Sequence, residues 1–371
     1  MSNTETTTDS KLLAAIQRNV PLVAQPYTQL ARELGDSPEH VMRRVAALRG
    51  EGVIREISGI FDAASLGYHQ TLAAFAVPGE RLTQAGRTVA EHPGVSHCYA
   101  RRHAVNLWFT LAVSPASALG LDTTIRHLAA ACGAQHTLTL PTITRYKLHV
   151  HFGDSGGQRG EGVSPSRPAG TLPAAAMEDD YASSSGQSHG TLNAGETPAS
   201  RKTGVPPRLT EGQVLAIRAL QVDLPVQGDP FSPLAELADT TVEGLLEHAA
   251  DFLRLGVLRR YAAVLHHRQA GGAANVLVAW EAAEGDVDAA GQACATLPQI
   301  SHCYRRARAN EWPFDLYTMI HGPSPAHCLD TVRSIIALTG MQNRRELWTT
   351  AEFKKQRVKL LGPEERQWET T

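Results

Sequence analysis

The stretch VSHCYARRHAVNLWFTLAV (95–113) returns in altered form as ISHCYRRARANEWPFDLYTMIHG (300–322), with Ser96-His97-Cys98-Tyr99 answered by Ser301-His302-Cys303-Tyr304. Each version alternates apolar and polar residues around a turn, which predicts two adjacent strands, near 95–103 and 105–113 in the first. Before them HQTLAAFAVP (69–78) reads as a strand and LTQAGRTVAEHP (82–93) as a helix. After them come a helix near 115–132 and a strand from about 135. The order β-α-β-β-α-β is ferredoxin-like: helices cover one face of an antiparallel sheet and leave the other to a partner or ligand.

The repetition extends upstream. Pro21, Pro26 and Tyr27 reappear as Pro225, Pro230 and Phe231, Leu30-Ala31 as Leu234-Ala235, and Gly52-Val53-Ile54-Arg55 as Gly256-Val257-Leu258-Arg259, all at one offset. Chance does not supply such a series, so the chain is written twice. In this upstream part Leu12, Leu13 and Ile16 begin an apolar stripe, continued by Leu30, Ala31 and Leu34. Ser37 before Pro38 marks a helix start, and Val41, Val45 and Leu48 follow at helical spacing until Gly50 and Gly52. Three short helices leading into Gly-Val-Ile-Arg-Glu-Ile-Ser form a winged helix-turn-helix pattern. The predicted class is α+β, with two tandem modules: winged heads at 8–60 and 208–262, and ferredoxin-like domains at 61–153 and 263–362. The intervening segment 154–207, rich in Gly, Ser, Pro and Ala, reads as a flexible linker that keeps unlike modules together.

A length of 371 residues with 42% apolar and 19% charged residues is that of a soluble protein of more than one domain. A net charge of −2 provides no general attraction for nucleic acid. The five cysteines include no C-x-x-C spacing, which argues against a structural zinc and for a reduced, cytoplasmic setting. The polar start MSNTETTTDS has no apolar signal core, and no apolar run approaches membrane-spanning length.

Strand parity sets the candidate site. Alternation places His97, Tyr99, Arg101 and His103 on one face, with Cys98, Ala100 and Arg102 on the other. In the second copy His302, Tyr304, Arg306 and Arg308 line up likewise, and Tyr317, Met319 and His321 share a side on the next strand. One strand histidine is usually structural, and arginines on an open sheet are usually solvated. The same set occurring twice favours a binding face. Cys98 and Cys303 point away and read as small buried residues. Guanidinium groups suit carboxylates, and imidazole suits proton donation near neutrality.

The overall plan resembles the Lrp/AsnC regulators. More specifically, HCYARRHAVNLWFTL (97–111) resembles the R-x-H-x-x-N-L-W-F-T-L signature of one siroheme decarboxylase subunit, through Arg101, His103 and Asn106 to Leu111. HHRQAGGAANVLVAW (266–280) is similar to the partner subunit through His267, Arg268, Gly271, Asn275 and Trp280. So are HCYRRARANEWPFDLYTMIHG (302–322) and TTAEFKKQRVK (349–359), although Gly272-Ala273-Ala274 replaces bulkier residues. In that family two unlike modules form the working unit. The resemblance implies removal of the C12 and C18 acetate carboxyls of siroheme to give 12,18-didecarboxysiroheme, on the route to haem d1 or in alternative haem synthesis.

It implies no cofactor beyond the iron macrocycle, which itself takes up the electron pair. Arg101, Arg268, Arg305, Arg306 and Lys354 are then candidates for carboxylate binding, with Tyr99, Trp108, Asn275 and Tyr317 as further substrate contacts. His97, His103, His302 and His321, with Tyr304, form the candidate catalytic set; proton donor and axial iron ligand stay open among the histidines. A homodimer of fused chains is expected by analogy with Lrp-like pairing. Two rivals remain. One is a DNA-binding regulator, disfavoured because Glu247 and His248 replace Arg43 and Arg44 in the second recognition helix, with Glu243 and Asp251 nearby. The other is a haem carrier or sensor that returns siroheme unchanged.

Overall fold

The computed structural model describes residues 3–148, 209–265, 274–283, 285–309 and 311–370. The expected linker lies outside them, as do His266, His267, Arg268 and Gly271. Helices α1 (Asn3–Arg18), α2 (Pro26–Leu34) and α3 (Pro38–Gly50) lead into β1 (Ile54–Phe61), then β2 (His69–Ala76), α4 (Leu82–Glu91), β3 (Val95–Arg101), β4 (Leu107–Val113), α5 (Gly120–Cys132) and β5 (His136–Leu148). The second copy repeats the plan with α6 (Glu211–Leu220), α7 (Ser232–Leu237), α8 (Val242–Arg254), β6 (Leu258–Leu265), β7 (Ala274–Trp280), α9 (Val287–Ala295), β8 (Ile300–Arg306), β9 (Leu316–Gly322), α10 (Pro325–Thr339) and β10 (Arg344–Lys355). A short α11 (Glu364–Glu369) closes the chain. Among the described residues no helix is long and apolar enough to cross a membrane.

The compact units differ from a simple cut between the copies. One comprises Met1–Thr142, Asp180–His267 and Thr349–Thr371; the other comprises Ile143–Asp179 and Arg268–Trp348. Both winged heads therefore belong to the first unit. The later part of β5 is counted with the second unit and the later part of β10 with the first.

In the first unit, Ser37 Oγ accepts the His40 N–H at 3.2 Å, and Pro38 occupies the first turn of α3, as the sequence pattern required. Gly52 and Gly256 turn from helix to wing at φ +68° and +69°, backbone that a side chain would strain. The wings pair antiparallel, with Ile57 opposite Ala263 and Gly59 opposite Tyr261. Two reciprocal bonds tie the heads: Val20 N–H to Tyr261 O at 2.6 Å, and Leu224 N–H to Ile57 O at 2.8 Å. Their apolar stripes merge into one core holding Ile16, Val45, Ile217, Leu220, Leu245 and Phe252. Each such buried side chain is worth about 1.5–3 kcal/mol against exposure.

The five-stranded sheet of this unit has the order β10–β3–β4–β2–β5, with residues 349–355 as the strand beside β3. Helices α4 and α5 bury Val89, Ile125 and Leu128 against Phe75, Val95 and Leu111. The second unit repeats the arrangement as β5–β8–β9–β7–β10, using residues 143–148 and 344–348. There Val287, Val332 and Ile335 of α9 and α10 meet Val276, Ile300 and Ile320. The fifth strand carries an aromatic ring in each case. Phe353 lies over Gly86 of α4, and Tyr146 lies over Gly291 of α9, where an added Cβ would stand 2.3 and 2.2 Å from the ring and force it to shift.

Candidate functional site

On β3 the helix-covered face holds Cys98 and Ala100, both fully buried, while His97 and Tyr99 sit half-buried on the other face. Their rings stack at 6.2 Å with 29° between planes. Arg101 ends the strand with its guanidinium carbon 5.3 Å from the Tyr99 ring centre, and its Nη1 donates to Thr349 Oγ1 at 3.1 Å. Only 4% of Arg101 is exposed, and this burial pushes its guanidinium down to about 10, with the Tyr99 hydroxyl opposing the shift.

The second unit builds the same figure on β8. His302 and Tyr304 stack at 6.2 Å and 23°, and Arg306 lies 5.0 Å from the Tyr304 ring centre. Arg306 is also 5.8 Å from the ring of Tyr317, the residue paired with Tyr304 across the ladder. Burial lowers Arg306 as well. Tyr317 is buried, accepts Trp312 Nε1–H at 2.8 Å and donates to Phe314 O at 3.2 Å; desolvation raises its phenol. Each unit thus holds an imidazole, a phenol and a planar cation in one row, pre-oriented by ring stacking. The phenol and cation suit a flat ligand with carboxylates.

The remaining candidates divide. Trp108 is buried opposite Tyr99 and donates to Val105 O at 2.9 Å. Asn275 faces His321 across the β7–β9 ladder, and His321 is exposed. His103 is not on the strand, because β3 stops at Arg101; it sits in the following turn, where its Nδ1 accepts the Val105 N–H at 3.0 Å. Arg308 likewise lies beyond β8 and donates to Asp315 Oδ2 at 3.0 Å and Ala282 O at 2.9 Å.

Arg305 has the opposite parity to Arg306 and binds Asp288 of α9 at 3.1 Å, on the helix side. Lys354 is there too: its Nζ donates to Ala90 O at 2.7 Å and His92 O at 2.9 Å, capping the C-terminus of α4, and burial lowers its ammonium. Arg268 lies outside the described residues. The face therefore gathers His97, Tyr99, Arg101 and Trp108 in one unit, and His302, Tyr304, Arg306 and Tyr317 in the other. Arg305 and Lys354 belong to neither set.

Strand parity alone did not single out Ser96 and Ser301. Ser96 Oγ lies 2.9 Å from His97 Nδ1, and Ser301 Oγ 2.8 Å from His302 Nδ1. The repeated Ser-His dipeptide was the available signal. In the first winged head two of the three arginines of α3 are engaged internally, while Arg43 is exposed: Arg44 Nε binds Asp9 Oδ1 at 2.8 Å, and Arg49 binds Asp223 Oδ1 and Leu224 O. Side chains committed to carboxylates of their own chain are poor phosphate contacts.

Two winged heads with two ferredoxin-like sheets, each bearing a ring-and-guanidinium face, define a fused pair of Lrp/AsnC-type modules built to hold a ligand. The AsnC-like ligand binding domain family matches residues 65–147 and 269–354, and the siroheme decarboxylase NirDL-like HTH domain matches 9–55. The siroheme decarboxylase of Hydrogenobacter thermophilus is 30% identical over 96% of both chains. The crystal structure of the siroheme decarboxylase NirDL superposes with TM-score 0.74 at 27% identity, covering 97% of this chain and 96% of that one. A co-complex of that enzyme with an iron-uroporphyrin III analogue gives 0.73 at 27% identity, covering 98% and 97%. The chain belongs to the siroheme decarboxylase family.

Proposed function

We propose that this chain is a carboxy-lyase that removes the C12 and C18 acetate carboxyls of siroheme without net oxidation, releasing 12,18-didecarboxysiroheme. The observation that carries the reading is the row of histidine, tyrosine and buried arginine, present in both units of a chain that matches siroheme decarboxylases along nearly its whole length. Loss of carbon dioxide leaves an electron pair on a methylene carbon; the macrocycle spreads that charge and a proton then makes the methyl group. The protein's share is orientation by Arg101 and Arg306, stacking by Tyr99 and Tyr304, and supply of a proton from the histidine set. No organic cofactor is called for beyond the substrate. A dimer of fused chains in the cytoplasm is part of the same proposal, by analogy with Lrp/AsnC pairing, and light scattering of the purified chain tests the dimer.

The regulator alternative is disfavoured by the internal pairing of Arg44 and Arg49. The test is anaerobic incubation with siroheme, following the loss of two carboxyl groups by mass. Binding of siroheme that is returned unchanged would make the chain a carrier. Full turnover in a His103→Ala, His321→Ala double variant would remove those two from the proton supply.

A further inference from the structure

The winged heads meet through two kinds of contact. The backbone bonds are mirrored. The offset that carries Pro21 onto Pro225 also carries Val20 onto Leu224 and Ile57 onto Tyr261. Val20 N–H to Tyr261 O and Leu224 N–H to Ile57 O are therefore one bond made twice. Contacts of this kind would serve two identical heads as well as two unlike ones.

The side-chain contacts are one-sided. Arg49, in the last turn of α3, reaches from the first head to the second, where its Nη2 donates to Asp223 Oδ1 at 2.6 Å and Leu224 O at 2.7 Å. Asp223 Oδ1 also accepts the Ile57 N–H at 2.7 Å, and the Tyr27 hydroxyl donates to Pro225 O at 3.0 Å. Burial raises the Asp223 carboxyl, while the Ile57 N–H and the Arg49 guanidinium oppose the shift, so a partly desolvated charge on one head is stabilised by groups of the other. On the mirrored side the same offset puts Leu253 in the place of Arg49, Asn19 in that of Asp223 and Phe231 in that of Tyr27. Leucine and asparagine carry no charge, and phenylalanine has no hydroxyl to give.

We propose that this one-sided cluster is a partner-selecting surface: the first head accepts an unlike winged head bearing a carboxylate at the place of Asp223 and rejects a second copy of itself. Pairing two first heads would set Arg49 against Asn19 on both sides, and each guanidinium would lose its carboxylate. Pairing two second heads would set Asp223 against Leu253, a carboxylate facing an apolar side chain. The mixed pair alone neutralises both charges. Selection then works through the penalty on wrong pairs as much as through the gain in the right one. No ligand takes part, so the selection is independent of the siroheme reading.

Two measurements on the full chain test it. The first is a urea-unfolding cycle of wild type, Arg49→Leu, Asp223→Asn and the double variant, substitutions that copy the mirrored side onto this one. Each single change should lower the midpoint, and the second should lower it less once the first is in place. Additive losses, or single variants with the wild-type midpoint, overturn the coupling. The second is co-expression of Arg49→Asp with Asp223→Arg. Within either chain like charges meet between the heads; complementary charges meet only between chains. Native mass spectrometry should show mixed assemblies in excess of random association, and both reversals on one chain should restore the wild-type assembly. Random mixing overturns the selection, as does failure of the pair to rescue a chain that does not accumulate alone.

Discussion

Gly86→Ala is the substitution whose sign tests the packing of the fifth strand. Gly86 lies inside α4, where alanine is ordinarily better by about 1 kcal/mol because glycine gives up more backbone entropy. Here the added Cβ would stand 2.3 Å from a carbon of the Phe353 ring, where ordinary contact begins at 3.4 Å, so the ring must retreat by about 1.1 Å. Overpacking of that kind costs about 1–3 kcal/mol, leaving a net destabilisation of up to about 2 kcal/mol. The strand that moves with the ring also carries Thr349, which accepts from Arg101, and Glu352, which pairs with Tyr99, so siroheme turnover should fall as well.

Urea unfolding of wild type, Gly86→Ala, Phe353→Leu and the double variant forms the cycle. Gly86→Ala should destabilise the wild-type background and become neutral or stabilising once Phe353→Leu has cleared the space. An increase in stability on wild-type background would refute the packing argument, since helix propensity alone would then be acting.

Arg101→Lys keeps the charge and loses the planar fork stacked on Tyr99; at about 1.5–3 kcal/mol for a charge-assisted contact, kcat/KM should fall roughly 10–100-fold, and an unchanged value would take Arg101 out of substrate binding. Arg305→Ala removes a half-exposed pair worth at most about 1 kcal/mol and should leave turnover as it was, whereas a tenfold loss in steady-state assays would return it to the binding set. Lys354→Met strips the donor from Ala90 and His92 carbonyls and should cost about 1–3 kcal/mol in thermal or urea unfolding; wild-type stability would dismiss the helix cap. His92 is buried against Trp368, and burial with Lys354 nearby lowers it from 6.5 to about 4. Unfolding lets it bind a proton it lacks when folded, so stability holds above pH 6.5 and declines by about 3 kcal/mol as pH falls to 4. His92→Asn should flatten that slope in pH-dependent denaturation, and an unaltered slope would assign it to other groups.

The strands and helices of both copies were legible because each buries one face, and the periods of 2 and 3.6 survive in the residue pattern. The end of β3 was not. Alternation carries on past Arg101 to His103, but Asn106 folds back, its Oδ1 accepting the Val77 N–H and its Nδ2 donating to Val77 O, and the intervening residues close into a turn. Charge and a place in family motifs mark Arg305 and Lys354 as binding candidates, yet both side chains lie on the helix side. The parity of Arg305 against Arg306 was in the sequence and pointed to the helix side. Lys354 follows Phe353 as Lys147 follows Tyr146, and Lys147 Nζ caps α9 at Leu297 O, 2.6 Å away. That aromatic-lysine pair, repeated on the last strand of each copy, was the readable sign of a cap. Which sheet each last strand joins was not readable, because backbone ladder bonds carry no residue code.

What the two copies share and where they part follows a physical division. The common features hold scaffold: Gly86 and Gly291 under an aromatic ring, Lys354 and Lys147 on helix ends, and Cys98 and Cys303 with thiols 3.7 and 3.6 Å from the glycine carbonyls. Ser96 and Ser301 are shared as well, yet what each serine faces differs, the Thr110 hydroxyl in one and the Met319 backbone carbonyl in the other. The ring across the ladder from each tyrosine differs too, Trp108 opposite Tyr99 in one unit and Tyr317 opposite Tyr304 in the other. In a dimer of identical chains any change at Thr110 would appear on both histidines at once. A fused duplicate escapes that constraint: one substitution alters one ring.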